Sequence, residues 1–310
     1  MNVFLWHVHG AWTTAFVQGP HTYYVPVVPG RGADGRGRAI TYDWPDSVIE
    51  VTPAMARELP VDVVVLQRPV ELHAQVEQWL GRAPGRDVPA VYLEHNAPQG
   101  VINDMRHPCA DVADVVLAHV THFNALFWDS GRTRSVVIEH GVPEPDAKYR
   151  GDIARAAVVI NEPTRRGRVT GTDLLPAFAT AAPIDLFGMG SEALGGRDLA
   201  QRGLHEELAR RRVYLHPFRW TSLGLTLLEA MHMAMPVVAL ATTEVPRAFP
   251  PAYPYVSTDL DELTVALRCL VADPEEATAR GKECREWARE HYSLTRFLAD
   301  WDALLAEVAA

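Results

Sequence analysis

Several features that would each point to a function class are scarce or missing. No apolar run in the 310 residues approaches the ~20 needed to cross a bilayer. The first residues, MNVFLWHVHGAW, have neither a basic leader nor an apolar core of signal-peptide length. Positive charge is outweighed: 29 Lys and Arg stand against 39 Asp and Glu, a formal net charge of -10, which argues against the phosphate backbone of a nucleic acid as partner. The three cysteines, Cys109, Cys269 and Cys284, are odd in number and widely spaced, with neither a disulfide framework nor metal-ligand spacing. A cytoplasmic location and the absence of a bound metal are the corresponding expectations. No G-x-S-x-G elbow and no paired-carboxylate signature appear, so hydrolase chemistry has little support.

What is present is the composition of a globular protein, 48% hydrophobic and 22% charged, with a length suited to about two domains of ~150 residues. The first half repeats a short β-branched run, a polar or small residue and a helical stretch. The runs 3–6, 61–66, 88–93, 115–117 and 136–138 lead into His7 and His9, Gln67 and Arg68, Glu94 and His95, His119, and His140. Strands of this kind, separated by helices, predict a parallel α/β sheet whose ligands gather beyond the carboxyl ends. A proline- and charge-rich stretch, GVPEPDAKYRGD at 141–152, reads as a linker, after which the alternation restarts at 157–160, 184–187, 213–215, 237–240 and 253–256. Pro69 precedes a helical pattern over 70–80, Asp273 and Ser293 are candidate caps for two closing helices, and Asp259 of the tripeptide Asp259-Leu260-Asp261 reads as a cap rather than a metal ligand.

The most informative stretch is VYLHPFRWTSLGLTLLEAMHMAMPVVAL, 213–240. It reads as strand, turn, helix, strand, with Thr221 or Ser222 as cap and Pro236 as stop. Glu229 lies among Leu227, Leu228, Ala230 and Met231, where a buried carboxylate needs hydrogen-bond donors such as two vicinal hydroxyls. The helix start at Ser222, Leu223, Gly224 and Leu225 offers backbone N–H groups to an anion. Phosphate and ribose together make a nucleotide.

The run G-L-x-x-L-E-A-M-x-x-x-x-P-V-V-A, Gly224 to Ala239, resembles the nucleotide-sugar motif of retaining glycosyltransferases of the GT-B fold, family four, also described as group 1. The resemblance implies an α/β protein with two Rossmann-like parallel-sheet domains facing a central cleft. Its parts would be an acceptor-side domain over 1–146, a nucleotide-sugar-binding domain over 147–290, and a closing helix over 291–310 that braces the first domain. It further implies that Glu229 binds the donor ribose, that Arg166 before Gly167, together with Arg168, holds the diphosphate, and that His95 of the "HN" pair contacts the donor sugar. Gly10 would sit in the glycine loop of the first domain, and Gly188 of G-M-G next to the base. One position departs from the family: a second glutamate usual eight positions before Glu229 is here Thr221, which puts the sugar end of the site in question.

The resulting expectation is transfer of a sugar from a nucleoside-diphosphate-sugar to an unknown hydroxyl acceptor, with no cofactor beyond the donor. A homodimer is left open. The rival readings are a nucleotide-sugar-binding protein impaired in transfer through Thr221, an NAD-linked oxidoreductase built on Gly188 and Gly190, and a GT-B enzyme of epimerisation or phosphorolysis.

Overall fold

The computed structural model describes residues 1–310, which divide into two compact units, Met1–Gly141 with Leu294–Ala310, and Val142–Ser293. The first holds seven parallel strands: β1 (Asn2–Leu5), β2 (Thr22–Pro26), β3 (Val48–Val51), β4 (Val63–Leu66), β5 (Ala90–Glu94), β6 (Val116–His119) and β7 (Ser135–Val137), in the order β3-β2-β1-β4-β5-β6-β7. The central strands are buried along their length, which is why they read as unbroken Val and Leu rather than as alternation. β2 and β3 go beyond the five runs expected. Edge strand β3 is only four residues, with Ile49 exposed between buried Val48 and Val51.

Four helices accompany these strands: α1 (Gly10–Phe16), α2 (Pro53–Ala56), α3 (Val76–Leu80) and α4 (His122–Phe127). The helix expected over 70–80 is interrupted by a π-helical turn at Glu71–Gln75 before α3 begins. There the fully buried carboxylate of Glu71 turns back to accept from the N–H of Gln67 at 2.6 Å and from Nε of Arg68 at 2.5 Å.

The second unit carries β8 (Ile153–Val159), β9 (Ile184–Phe187), β10 (Arg211–His216), β11 (Val237–Leu240) and β12 (Val256–Ser257), all parallel, in the order β12-β11-β10-β8-β9. Its helices are α5 (Pro163–Arg166), α6 (Leu175–Phe178), α7 (Gln201–Arg210), α8 (Leu225–His232), α9 (Leu260–Ala272) and α10 (Pro274–His291). Asp259 and Asp273 cap α9 and α10, each accepting two backbone N–H groups.

Two details of α8 differ from expectation. Its cap is Gly224, with no side chain bonded to the first turn, rather than Thr221 or Ser222. It also ends before Pro236, at Met233 and a left-handed Ala234 (φ 70°). Gly281 of α10 explains how closely the two helices approach: a Cβ there would lie 1.9 Å from the Ala234 carbonyl oxygen. Gly281→Ala is therefore expected to lower stability by about 1–3 kcal/mol in urea unfolding, and an unchanged midpoint would show that the two helices can separate freely.

The final helix, α11 (Leu294–Ala309), belongs to the first unit. Its apolar stripe buries Phe297, Trp301, Leu304 and Leu305, and Trp301 packs edge-on against Trp12 and Phe16 of α1 at 5.4 and 5.1 Å.

Candidate functional site

In the second sheet the strand order reverses between β8 and β10, the position where open α/β sheets bind ligands beyond their carboxyl ends. β8 leads into Glu162, in the left-handed region, and then into α5 with the three arginines. Arg165 is consumed by an ion pair with Glu162. Arg168 is exposed and pairs with Asp173 at 3.1 Å, and Arg219, which the sequence reading passed over, pairs with the same carboxylate at 2.6 Å. Arg166 is half-buried and makes no ion pair, and burial lowers its pKa. An unpaired, partly desolvated guanidinium is the one of the three best placed to gain from an incoming anion.

The loop after β8 is tied to the end of β10. The carbonyl of Val169 accepts from the N–H groups of Arg219 and Trp220 at 2.9 and 3.1 Å. Gly171, at φ 72°, lies so close to Pro217 that a Cβ would stand 1.9 Å from its carbonyl oxygen. Thr170 is fully buried, its hydroxyl facing the carbonyl of Gly167 and the hydroxyl of Thr172. The cationic end of this loop is thus Arg166.

β10 runs into the turn that starts α8. Thr221 is half-buried, Ser222 and Leu223 are buried, and Gly224 and Leu225 are half-buried. The N–H groups of Leu223, Gly224, Leu225 and Thr226 donate to no backbone acceptor, and the cap residue, Gly224, has no side chain to cover them. Gly224 has a steric cause as well as a capping one. A Cβ there would lie 2.8 Å from Cε1 of His216, a ring only 1% exposed, tilted against Phe218 at 4.4 Å and without hydrogen bonds at either nitrogen. Burial pushes the pKa of His216 down to about 3.

Glu229 lies one turn into α8 and is 5% exposed. Gln201 of α7 donates from Nε2 to its Oε1 at 2.9 Å, and Nε2 of His205 stands 3.1 Å from its Oε2. Neither α7 residue carries a sequence signal, because their spacing of four is that of any helix face. Gly188 follows β9 at φ 121°, with room for no side chain: a Cβ would sit 2.5 Å from the carbonyl oxygen of Ile160. The next N–H, of Met189, bonds to the side chain of Asn161 at 2.9 Å. The loops after β8, β9 and β10 are thereby joined.

The remaining expected residues lie in the first unit. Gly10 opens α1 behind His9, and a Cβ on it would meet the ring of Tyr42 at 3.1 Å. His95 follows β5, half-buried, stacked on His9 at 4.1 Å and 5.1 Å from His140. Burial and the neighbouring rings hold His95 well below the usual imidazole pKa, and burial lowers His9 to about 4 and His140 to about 3, so the group is uncharged at neutral pH. A buried pair unmarked in the sequence lies beside it. Glu94 accepts from the N–H of Asn96 at 2.6 Å and stands 2.9 Å from Nε2 of His107, whose Nδ1 accepts from the N–H of Cys109. That last bond fixes the proton of neutral His107 on Nε2, directed at Glu94. The carboxylate thus fastens the turn at Glu94-His95-Asn96.

A surface hollow of about 490 Å³ beside β9 is lined by Arg155, Asp185, Glu207 and Arg211, but these charges neutralise one another in ion pairs. No cluster of three or more His, Cys, Asp or Glu is placed to hold a metal ion, and no helix is long and apolar enough to cross a membrane.

Residues 187–273 match the family described as "Glycosyl transferases group 1". The matched segment includes Gly188, the turn at Thr221 to Leu225 and Glu229, whereas Arg166, Arg168, Gly10 and His95 lie outside it. No curated relative matches the sequence. Among solved structures, the chain is similar to sucrose-phosphate synthase from Thermosynechococcus elongatus (13% identity, 99% of each chain, TM-score 0.73). It is similar also to HepE from Anabaena in complex with UDP and glucose (11% identity, 99% of each chain, TM-score 0.70). A third is WaaG, a glycosyltransferase involved in lipopolysaccharide biosynthesis (13% identity, 98% of this chain and 99% of that one, TM-score 0.65). At such identities the likeness shows the fold, which is GT-B: two Rossmann-like domains, each a parallel sheet with helices.

Proposed function

We propose that the protein is a glycosyltransferase that moves a sugar from a nucleoside-diphosphate-sugar to an acceptor hydroxyl with retention at the anomeric carbon. The observation that carries this reading is the arrangement at the switch point of the second sheet. An unpaired Arg166 and an uncapped α8 start stand at the ends of adjacent strands β8 and β10, and buried Glu229 lies on the same helix. The group 1 match over 187–273 and the UDP complex of the similar HepE support it.

On this reading the N–H groups of Leu223 to Leu225, with Arg166 and Arg168, receive the diphosphate, where negative charge develops as the bond from the sugar to phosphate breaks. The acceptor oxygen forms the new bond to the anomeric carbon, and its proton passes to the departing phosphate oxygen. Glu229 takes the ribose and Gly188 lies near the base. In the first unit, His95 is an uncharged imidazole held by the Glu94 turn, and Gly10 keeps the start of α1 free of a side chain. Thr221, shorter than glutamate and neutral, fits a donor whose sugar does not demand a carboxylate at that point.

Thermal unfolding with UDP, GDP, ADP, dTDP and NAD, in wild type and Glu229→Ala, tests this. A ligand at a hundred times its dissociation constant adds about 2.7 kcal/mol to stability. One nucleoside diphosphate is expected to stabilise the wild type and to bind the variant at least about tenfold more weakly. Stabilisation by NAD alone, or by nothing, overturns the reading. Nucleotide binding without turnover of any matching sugar conjugate leaves a binding protein, with Thr221 as its cause.

A further inference from the structure

Glu229 does not wait for a ligand with its carboxylate bare. Oε1 already accepts from Gln201, while Oε2 has His205 Nε2 at 3.1 Å. That second contact is close but not aligned as a hydrogen bond: Nε2 of His205 is buried and has no hydrogen-bond partner. An imidazole nitrogen beside a carboxylate oxygen, each 10% exposed or less and not bonded to the other, is an unusual thing to leave inside a protein. A hydroxyl resolves it. One O–H can donate to Oε2 and accept from an Nε2–H, satisfying both groups at once. Oε1 keeps a second lone pair after Gln201 has used the first, so a neighbouring hydroxyl can donate there. The arrangement fits two adjacent hydroxyls, one bridging Glu229 and His205, the other on the oxygen whose direction Gln201 sets.

We infer that His205 and Gln201 complete a vicinal-diol site around Glu229 and make it selective for ribonucleotides over deoxyribonucleotides. The inference rests on the nucleoside-diphosphate reading above and adds to it the residues that recognise the sugar of the nucleotide. His205 contacts the hydroxyl directly. Gln201 is a positioning residue that fixes the rotamer of Glu229 from α7.

The test is calorimetric titration of the whole protein with UDP, GDP and ADP, each beside its 2′-deoxy and 3′-deoxy form, reading the ratio of deoxy to ribo dissociation constants. Wild type is expected to favour the ribonucleotide by about tenfold or more for each hydroxyl. His205→Ala should bring one of the two ratios close to one, and His205→Gln, which keeps an N–H donor, should restore part of it. Gln201→Ala should reduce the ratio for the other hydroxyl. Each ratio is taken within one variant, so a general loss of stability, which scales both affinities together, does not mimic the effect. If His205→Ala does not fold, His205→Phe, which keeps a ring and removes both nitrogens, carries its reading.

If wild type does not distinguish ribo from deoxy, or if the variants keep the wild-type ratios, the inference falls. Weakened binding by Glu229→Ala would then show that the nucleotide reading survives. If no diphosphate binds the wild type, both fall together.

Discussion

Acidification from pH 7 to pH 5 is expected to destabilise both units by several kcal/mol, before the protein's carboxylates take part. His119, His140 and His216 are each 1% exposed or less, and none has a hydrogen bond at either ring nitrogen. Burial pushes their pKa values down to about 4, 3 and 3. The folded protein therefore binds fewer protons than the unfolded chain, whose histidines titrate near 6.5, and stability rises with pH throughout that interval. The stabilisation is complete above the unfolded value and is lost as pH falls toward the folded one. Between pH 7 and pH 5 each of these three accounts for about 2 kcal/mol, and because burial also lowers His7, His9 and His95 of the first unit, against His232 alone in the second, the first unit should lose more than the second.

Glu144, held at about 2 by Arg289 and Arg285, titrates below this window and cannot produce the same slope. Urea unfolding at pH 7, 6 and 5 measures it, with His216→Phe expected to flatten the curve of the second unit. A stability that does not change over this range would mean that the three rings are solvated when protonated.

The second large effect is expected at Gly171. Its φ of 72° is unfavourable for any residue with a side chain, and a Cβ would lie 1.9 Å from the Pro217 carbonyl oxygen. The contact cannot be relieved by a rotamer, since both groups are backbone. Gly171→Ala must push the loop after β8 away from the end of β10, and with it Arg166, whose position relative to the α8 start is what an anion would sense. A displacement of about 1 Å in such a group costs on the order of a hundredfold in rate. Transfer by Gly171→Ala is accordingly expected to fall about a hundredfold, with a loss of stability of about 1–3 kcal/mol. Full activity would show that the two loops need not touch. Gly167→Ala, strained by its φ of 42° but with nothing within 4 Å of a Cβ, separates the backbone cost from the clash in the same loop.

The parallel sheets were legible because their central strands are buried on both faces, so that Val63 to Leu66 or Val237 to Leu240 could be little else. β2 and β3 were less visible: TYYVP runs into a proline and VIEV lies at an edge with one residue exposed. The start of α8 was misplaced because Thr221 and Ser222 are the residue types that cap helices, while Gly224 wins the position through the His216 ring that leaves no space for a Cβ. Glu229 stood out from its apolar neighbours, but its partners did not, since Gln201 and His205 lie in a helix separated from it by the whole of β10. The same limit hid His107, thirteen residues from Glu94, because a contact made by the fold leaves no spacing to read.

The discontinuity of the first unit has a consequence for the order in which the chain acquires its structure. Residues 1–141 leave the ribosome first, but the aromatic stack of Trp12 and Phe16 is closed only by Trp301, near the other end of the chain. The second unit, continuous from Val142 to Ser293, can fold as it emerges. The first must carry exposed indole and phenyl surface through all of that synthesis and close last, so it is the half of the molecule that loss of the Trp301 helix would leave unfinished.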